Sequence, residues 1–168
     1  MYFFQGKYEE ADKIFHRALR IREAVLDPSD PTVASSYTGL AEVYRREGKY
    51  DAAEPLYLRA LKIQETALGR DSLAVASTLN NLAGLYKAQA RYPASESYYQ
   101  RSVKIHEAAL GPKHPEVATV LNNLATLYRL ENKNSEAEAL YLRSQKISEA
   151  ALGADHPDVA YVSNNLGE

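Results

Sequence analysis

The sequence predicts an all-α fold, a right-handed superhelical α-solenoid of stacked helix-turn-helix repeats. Its main support is a period of 42 residues, at which Tyr44, Tyr86 and Tyr128 recur without any insertion. A fixed period of this length indicates a repeat architecture in which each repeat covers the apolar face of the next. Within a period, apolar residues are spaced by three and four, which is typical of an amphipathic helix and not of a strand. In one copy they are Val75, Leu79, Leu82, Ala83 and Tyr86.

Each period is expected to contain two helices. In one copy the first helix is predicted over about 73 to 89, and first helices begin after a capping residue such as Asp30, often followed by proline. The second helix is predicted over about 51 to 68 in another copy, and it opens with the capping-box pattern Asp51-x-x-Glu54. Glycines follow the second helices, where a helix commonly ends. They are Gly69, Gly111 and Gly153.

The period divides the chain into one array with incomplete repeats at its ends. The boundaries are a partial repeat 1–27, repeats 30–69, 72–111 and 114–153, and a partial repeat 156–168. We therefore expect a piece of a longer array. Because the end of the chain continues in register into its beginning, a second expectation is head-to-tail self-association of two molecules.

Composition excludes several classes of function. The net charge of −2 and the pI near 6.1 provide no drive toward nucleic acid or an anionic membrane. The chain has no cysteine and no apolar run of the ~20 residues that span a bilayer. No nucleophile, phosphate-loop or zinc motif occurs, so we predict no catalytic residue, no metal site, no cofactor and no enzymatic activity. A cytoplasmic protein is expected.

One copy carries a family signature over residues 40–60, written L-A-x-x-Y-x-x-x-G-x-Y-x-x-A-x-x-x-Y-x-x-A. This pattern resembles the tetratricopeptide repeat (TPR). The 42-residue period, with the segments NNLAxLY, RALKIQETALG and GxxHPxVA, resembles the kinesin light chain type of TPR. The resemblance covers essentially the whole chain. It implies a superhelix whose first helices line a concave groove that accepts peptide segments of partner proteins.

The groove implied by this resemblance is polar, because the face opposite the apolar stripe carries amides, hydroxyls and cations. Asparagine amides donate and accept hydrogen bonds together and could hold the backbone of an extended peptide. A basic row would favour acidic segments. The candidate groove residues are Asn80, Asn122, Asn164, Arg45, Lys87, Arg129, Thr38, Ser77 and Thr119.

Two interpretations of these residues stay open. The first is a protein–protein interaction scaffold that binds extended, acidic peptide segments. The second is a structural spacer or self-associating segment whose polar helix faces are merely solvated. The repeats are also unequal, since Thr38 and Gly39 replace the asparagine pair in the first copy and Ala90 stands where a glycine is usual.

Overall fold

A computed structural model of the chain describes residues 8–153, and over this range it shows seven α-helices and no strand. The all-α prediction is therefore confirmed. Asn164 and the predicted partial repeat 156–168 lie outside the described residues. The helices are α1 (Tyr8–Val25), α2 (Pro31–Arg46), α3 (Tyr50–Leu68), α4 (Leu73–Ala88), α5 (Tyr92–Leu110), α6 (Pro115–Leu130) and α7 (Asn134–Leu152).

The helices form two compact units, Met1–Leu85 and Tyr86–Glu168, called unit 1 and unit 2 below. Within each unit, consecutive helices run antiparallel, because contacts join the end of one helix to the start of the next. In unit 1 the Tyr57 hydroxyl of α3 reaches Glu42 of α2 at 2.8 Å. In unit 2 the Tyr141 hydroxyl of α7 reaches Thr126 of α6 at 3.0 Å. Each pair is thus a helix hairpin.

The core of each hairpin is built from the apolar stripe that the spacing predicts. In α4 the five predicted stripe residues are all buried. Burial of each leucine stabilises the fold by roughly 1.5–3 kcal/mol. Alanines one period apart in the first helices are fully buried, and tyrosines one period apart in the second helices are buried as well. The alanines are Ala41, Ala83 and Ala125, and the tyrosines are Tyr57, Tyr99 and Tyr141.

Side chains cap the first helices, whereas the second helices begin without such caps. Asp30 accepts a hydrogen bond from the N–H of Thr32 at 2.7 Å. The second helix α3 begins at Tyr50, and Lys49 at its N-cap makes no side-chain cap hydrogen bond. The capping box predicted from Asp51 is therefore wrong, because that residue already lies within the first turn of the helix.

The turn from first to second helix is closed by the backbone and an aromatic ring. In the middle copy, the N–H of Arg91 donates to the Tyr86 carbonyl at 2.8 Å, and the guanidinium lies 4.2 Å from the ring centroid of Tyr86. Lys49 and Lys133 make the same two contacts one period away. The turn requires a residue with positive φ. This residue is Gly48 (75°), Ala90 (57°) or Asn132 (60°).

Phe15 explains why the first copy departs from the asparagine pair. It lies one period before the buried Tyr57, and its ring packs directly on Gly39 of α2. A Cβ at Gly39 would lie 2.1 Å from Cε1 of Phe15, which is closer than any real contact. An asparagine like those at 81 and 123 therefore cannot occupy this position while the ring stays in place.

Candidate functional site

The predicted groove residues among the described ones lie on α2, α4 and α6, and all but Asn122 lie outside the buried surface of these helices. In unit 1 they are Thr38, Arg45, Ser77 and Asn80, and in unit 2 they are Lys87, Thr119, Asn122 and Arg129. Asn164 lies outside the described residues.

The predicted hydroxyl groups act on their own helices. Ser77 Oγ donates to the Leu73 carbonyl at 3.0 Å, and Thr119 Oγ1 donates to the Pro115 carbonyl at 3.3 Å. Thr38 donates likewise within α2, to Ala34 at 3.1 Å. Because each hydroxyl hydrogen is used in this way, the oxygen can offer a ligand only its acceptor lone pairs. Ser77 and Thr119 are exposed, so these acceptors face solvent.

The asparagines of the predicted ladder are not equivalent. Asn122 is only 6% exposed, and it forms part of the buried surface of α6. Asn80 is half-buried on α4. Of these two amides, Asn80 is the one with substantial contact with solvent, so a ligand could reach it more readily than Asn122.

In unit 1 the predicted cation Arg45 is held by a carboxylate. Its Nε and Nη2 donate to the two oxygens of Glu42 at 2.8 and 2.7 Å, which is a bidentate pair. Arg46 Nε donates to the same carboxylate at 2.6 Å. The hydroxyl of the buried Tyr57 also donates to it, at 2.8 Å. Glu42 therefore accepts four hydrogen bonds and fixes two guanidinium groups; we call these four residues the Glu42 cluster.

The electrostatics of the Glu42 cluster follow from this geometry. Burial raises the pKa of Glu42. The hydrogen bonds and the charge of Arg45, together with the hydrogen bonds from Arg46 and Tyr57, outweigh burial, so the pKa is lowered. The hydrogen bond to Glu42 raises the pKa of Arg45 further. Burial, and then the negative charge of Glu42, raise the pKa of the Tyr57 hydroxyl well above its ordinary value. The ion pair is thus charged at neutral pH.

Unit 2 has a neutral group at the corresponding position. Thr126 lies two periods after Glu42, and its hydroxyl donates to the Asn122 carbonyl at 2.9 Å. It also accepts a hydrogen bond from Tyr141, as Glu42 does from Tyr57. Arg129 thus follows an uncharged residue by three positions, whereas Arg45 follows a carboxylate. In the copy between them the position is Gly84, and Lys87 Nζ lies 6.0 Å from the Tyr99 ring centroid.

Sequence reasoning placed Arg45 in the basic row without its partner. The signal was present, because Glu42 precedes Arg45 by three residues and Arg46 by four. On a helix these are the spacings at which opposite charges meet. The contact with Tyr57 had no such signal, since it depends on how α3 packs against α2.

Two further features concern metal binding and membrane insertion. Among residues 8–153, no group of three or more His, Asp or Glu side chains is placed to hold a metal ion. In the same part of the chain, no helix is both long and apolar enough to cross a membrane.

Comparisons with known proteins agree with this architecture. The tetratricopeptide repeat family model matches residues 1–66 and 74–150. No match was found among the curated proteins.

Solved structures provide the likeness in fold. BtubC (BKLC) from P. vanneervenii is 27% identical with a TM-score of 0.86, and the match covers 99% of this chain and 66% of that one. This chain therefore spans just under two thirds of the length of BtubC. A kinesin light chain-like protein of nearly identical TPR-like repeats from Podosopora anserina is 22% identical with a TM-score of 0.81, covering 98% and 78% of the two chains. The predicted class of helical repeat solenoid is confirmed, and the chain belongs to the tetratricopeptide repeat family.

Proposed function

We propose that this chain binds an extended peptide segment of a partner protein along the polar faces of its first helices. TPR arrays are in general scaffolds for protein interactions, and the proposal specifies the surface and the ligand. The observation that carries it is the chemistry of the face. Exposed hydroxyl oxygens that can only accept, at Ser77 and Thr119, suit the N–H groups of an extended main chain.

The charge of unit 2 supports acidic side chains in the ligand. Lys87 and Arg129 lie one period apart. At the repeat position three residues before the arginine, unit 1 has Glu42 and unit 2 has the neutral Thr126. In unit 1 the carboxylate offsets one of two arginine charges. The basic row of Arg45, Lys87 and Arg129 would attract acidic side chains of the ligand, and this attraction would also speed association.

The remaining expectations belong to the same proposal. They are a cytoplasmic protein without catalytic activity, and an array divided at the repeat boundaries given above. The alternative is a structural spacer or self-associating segment without a peptide ligand, and the binding experiment distinguishes it from the peptide-binding scaffold.

The experiment screens an array of extended peptides that differ in acidic content and then measures Kd by fluorescence anisotropy for the best binder. Arg129→Ala is expected to weaken binding about three- to tenfold, through the loss of one charge-assisted contact. Asn80→Ala should weaken it by a smaller factor. Higher salt should weaken binding of the wild type.

Lys104→Ala is the matched control, because it removes one positive charge from an exposed position of a second helix. Equal Kd values for the two charge variants would place the peptide elsewhere. If no peptide binds above background, the result supports the structural spacer.

A further inference from the structure

Second helices carry a polar residue at one repeat position, and in α1, α3 and α5 this residue faces the first helix of the next repeat. Gln64 and His106 are only 5% and 3% exposed there. A buried polar group is costly unless it has a hydrogen-bonding partner, so the partner on the next helix matters. The four members, one period apart, are Arg22, Gln64, His106 and Ser148.

We call the contact between a second helix and the next first helix a seam. At the first seam, α1 meets α2 in unit 1. Arg22 Nη1 donates to the hydroxyl of Ser36 at 2.6 Å and to the carbonyl of Thr32 at 3.2 Å. Ser36 is itself buried. A cation in a second helix is thus matched by two acceptors on the next first helix.

At the second seam, α3 meets α4, also in unit 1. The hydroxyl of Thr78 donates to Oε1 of Gln64 at 2.7 Å, and both side chains are buried. Thr78 lies one period after Ser36, so the same two positions are paired with a neutral amide in place of a cation.

At the third seam, α5 meets α6 in unit 2, and the hydroxyl is replaced by Val120. The partner now comes from one turn earlier, where Glu116 Oε2 lies 3.4 Å from Nε2 of His106. The other ring nitrogen, Nδ1, lies 2.9 Å from the Ser102 carbonyl and donates to it, since a carbonyl only accepts, so Nε2 donates to Glu116 only when the ring carries both hydrogens. A glutamate thus appears at the one of these three seams where the hydroxyl has been lost.

One other contact between neighbouring repeats is the same in both units. Arg59 pairs with Glu23 in unit 1, and Arg143 pairs with Glu107 in unit 2, at corresponding positions. A contact that recurs at corresponding positions cannot distinguish one neighbour from another.

We propose that the polar residue at 22, 64 and 106 distinguishes the third seam, which lacks the hydroxyl, from the first two, which share it. The sets are Arg22 with Ser36, Gln64 with Thr78, and His106 with Glu116 beside Val120. Because a hydroxyl both donates and accepts, Arg22 and Gln64 could exchange Ser36 and Thr78, but either of them placed against Val120 would lose its hydroxyl partner. Repeats on the two sides of this difference are thereby kept from exchanging neighbours, within one molecule or between two.

The experiment moves the third set into the second seam of the full chain. Thr78→Val creates the mismatch and is expected to lower Tm by about 4–8 °C, since Gln64 loses its partner. Gln64→His added to it should not recover the loss. Adding Ala74→Glu as well completes the third set and should recover at least half of it at pH 5.5, where free imidazole is charged.

Thr66→Val is the control, because it removes an exposed hydroxyl that bonds only within α3. The proposal is overturned if the triple and double variants melt at the same temperature, or if Thr78→Val costs no more than the control.

A second variant separates neighbour choice from stability, and it applies even if the mismatched chains fail to fold. Gln64→Leu with Thr78→Val makes the seam apolar, which is expected to leave Tm within a few degrees of the wild type. After refolding, light scattering should then detect exchanged dimers at a several-fold higher fraction than in the wild type. An unchanged monomer fraction contradicts the proposal.

Discussion

Units 1 and 2 place different chemistry at one repeat position. In unit 1 it is Glu42, whose carboxylate accepts four hydrogen bonds from Arg45, Arg46 and Tyr57. In unit 2 it is Thr126, whose hydroxyl bonds to the Asn122 carbonyl and to Tyr141. The fold satisfies the buried tyrosine hydroxyl in both cases, but only unit 1 does so with a charge.

The difference separates two tasks that one position performs. Accepting the tyrosine hydroxyl is common to Glu42 and Thr126, and the threonine does so as well as the glutamate. Fixing two arginines is an addition of unit 1, and it alters the charge that the first-helix face presents. The repeats therefore share a scaffold while their surfaces diverge.

The largest expected effect comes from removing the carboxylate of Glu42. Glu42→Ala leaves Arg45 and the buried Tyr57 hydroxyl without their acceptor, so the free energy of unfolding should fall by about 2–4 kcal/mol. Thr126→Ala, the matched change in unit 2, should cost only about 1 kcal/mol. Urea unfolding followed by circular dichroism measures both. Equal losses would mean that the charge of Glu42 adds nothing.

A second test concerns the first copy at Gly39. Gly39→Ala should destabilise the chain by about 1–3 kcal/mol, because the new methyl group overlaps the Phe15 ring and the strain exceeds the gain in helix propensity. Thermal unfolding measures the loss. Phe15→Leu in the same chain should recover part of it, and strictly additive effects would contradict the contact.

The turns provide a third comparison, between Gly48 in unit 1 and Ala90 in unit 2. Both have positive φ, which alanine adopts at a cost of about 1 kcal/mol. Ala90→Gly should therefore stabilise the chain by up to about 1 kcal/mol, although the unfolded state gains some entropy. Gly48→Ala should have the opposite sign. Two changes of the same sign in urea unfolding would contradict this explanation.

The smallest effect is a pH dependence confined to unit 1. The folded pKa of Glu42 lies below its ordinary value of 4.5, so its stabilisation is fully present above that value and is lost as pH falls through the folded pKa. The stability gap between wild type and Glu42→Gln should accordingly narrow below about pH 4. Urea titrations between pH 7 and pH 3 measure the gap. A gap that stays constant would show that the carboxylate is not the titrating group.

The sequence by itself determined the repeat, the helical class and the buried stripe of each first helix. These follow from the 42-residue period and from the spacing of apolar residues, which are local and recur in several copies. The family could also be read from the signature at residues 40–60. The predicted start of the second helix α3 was one residue too late, because the backbone turn at Lys49 closes without a side-chain cap.

Only the tertiary structure decided what the candidate site offers. Asn80 and Asn122 occupy the same repeat position, yet Asn122 is buried, and burial depends on neighbouring helices. Gly39 looks like a lost asparagine in the sequence, while in the fold it accommodates Phe15. The partner of His106 likewise comes from one turn earlier than the partner of Gln64. Such pairings depend on distances between helices, and a repeat period does not encode those distances.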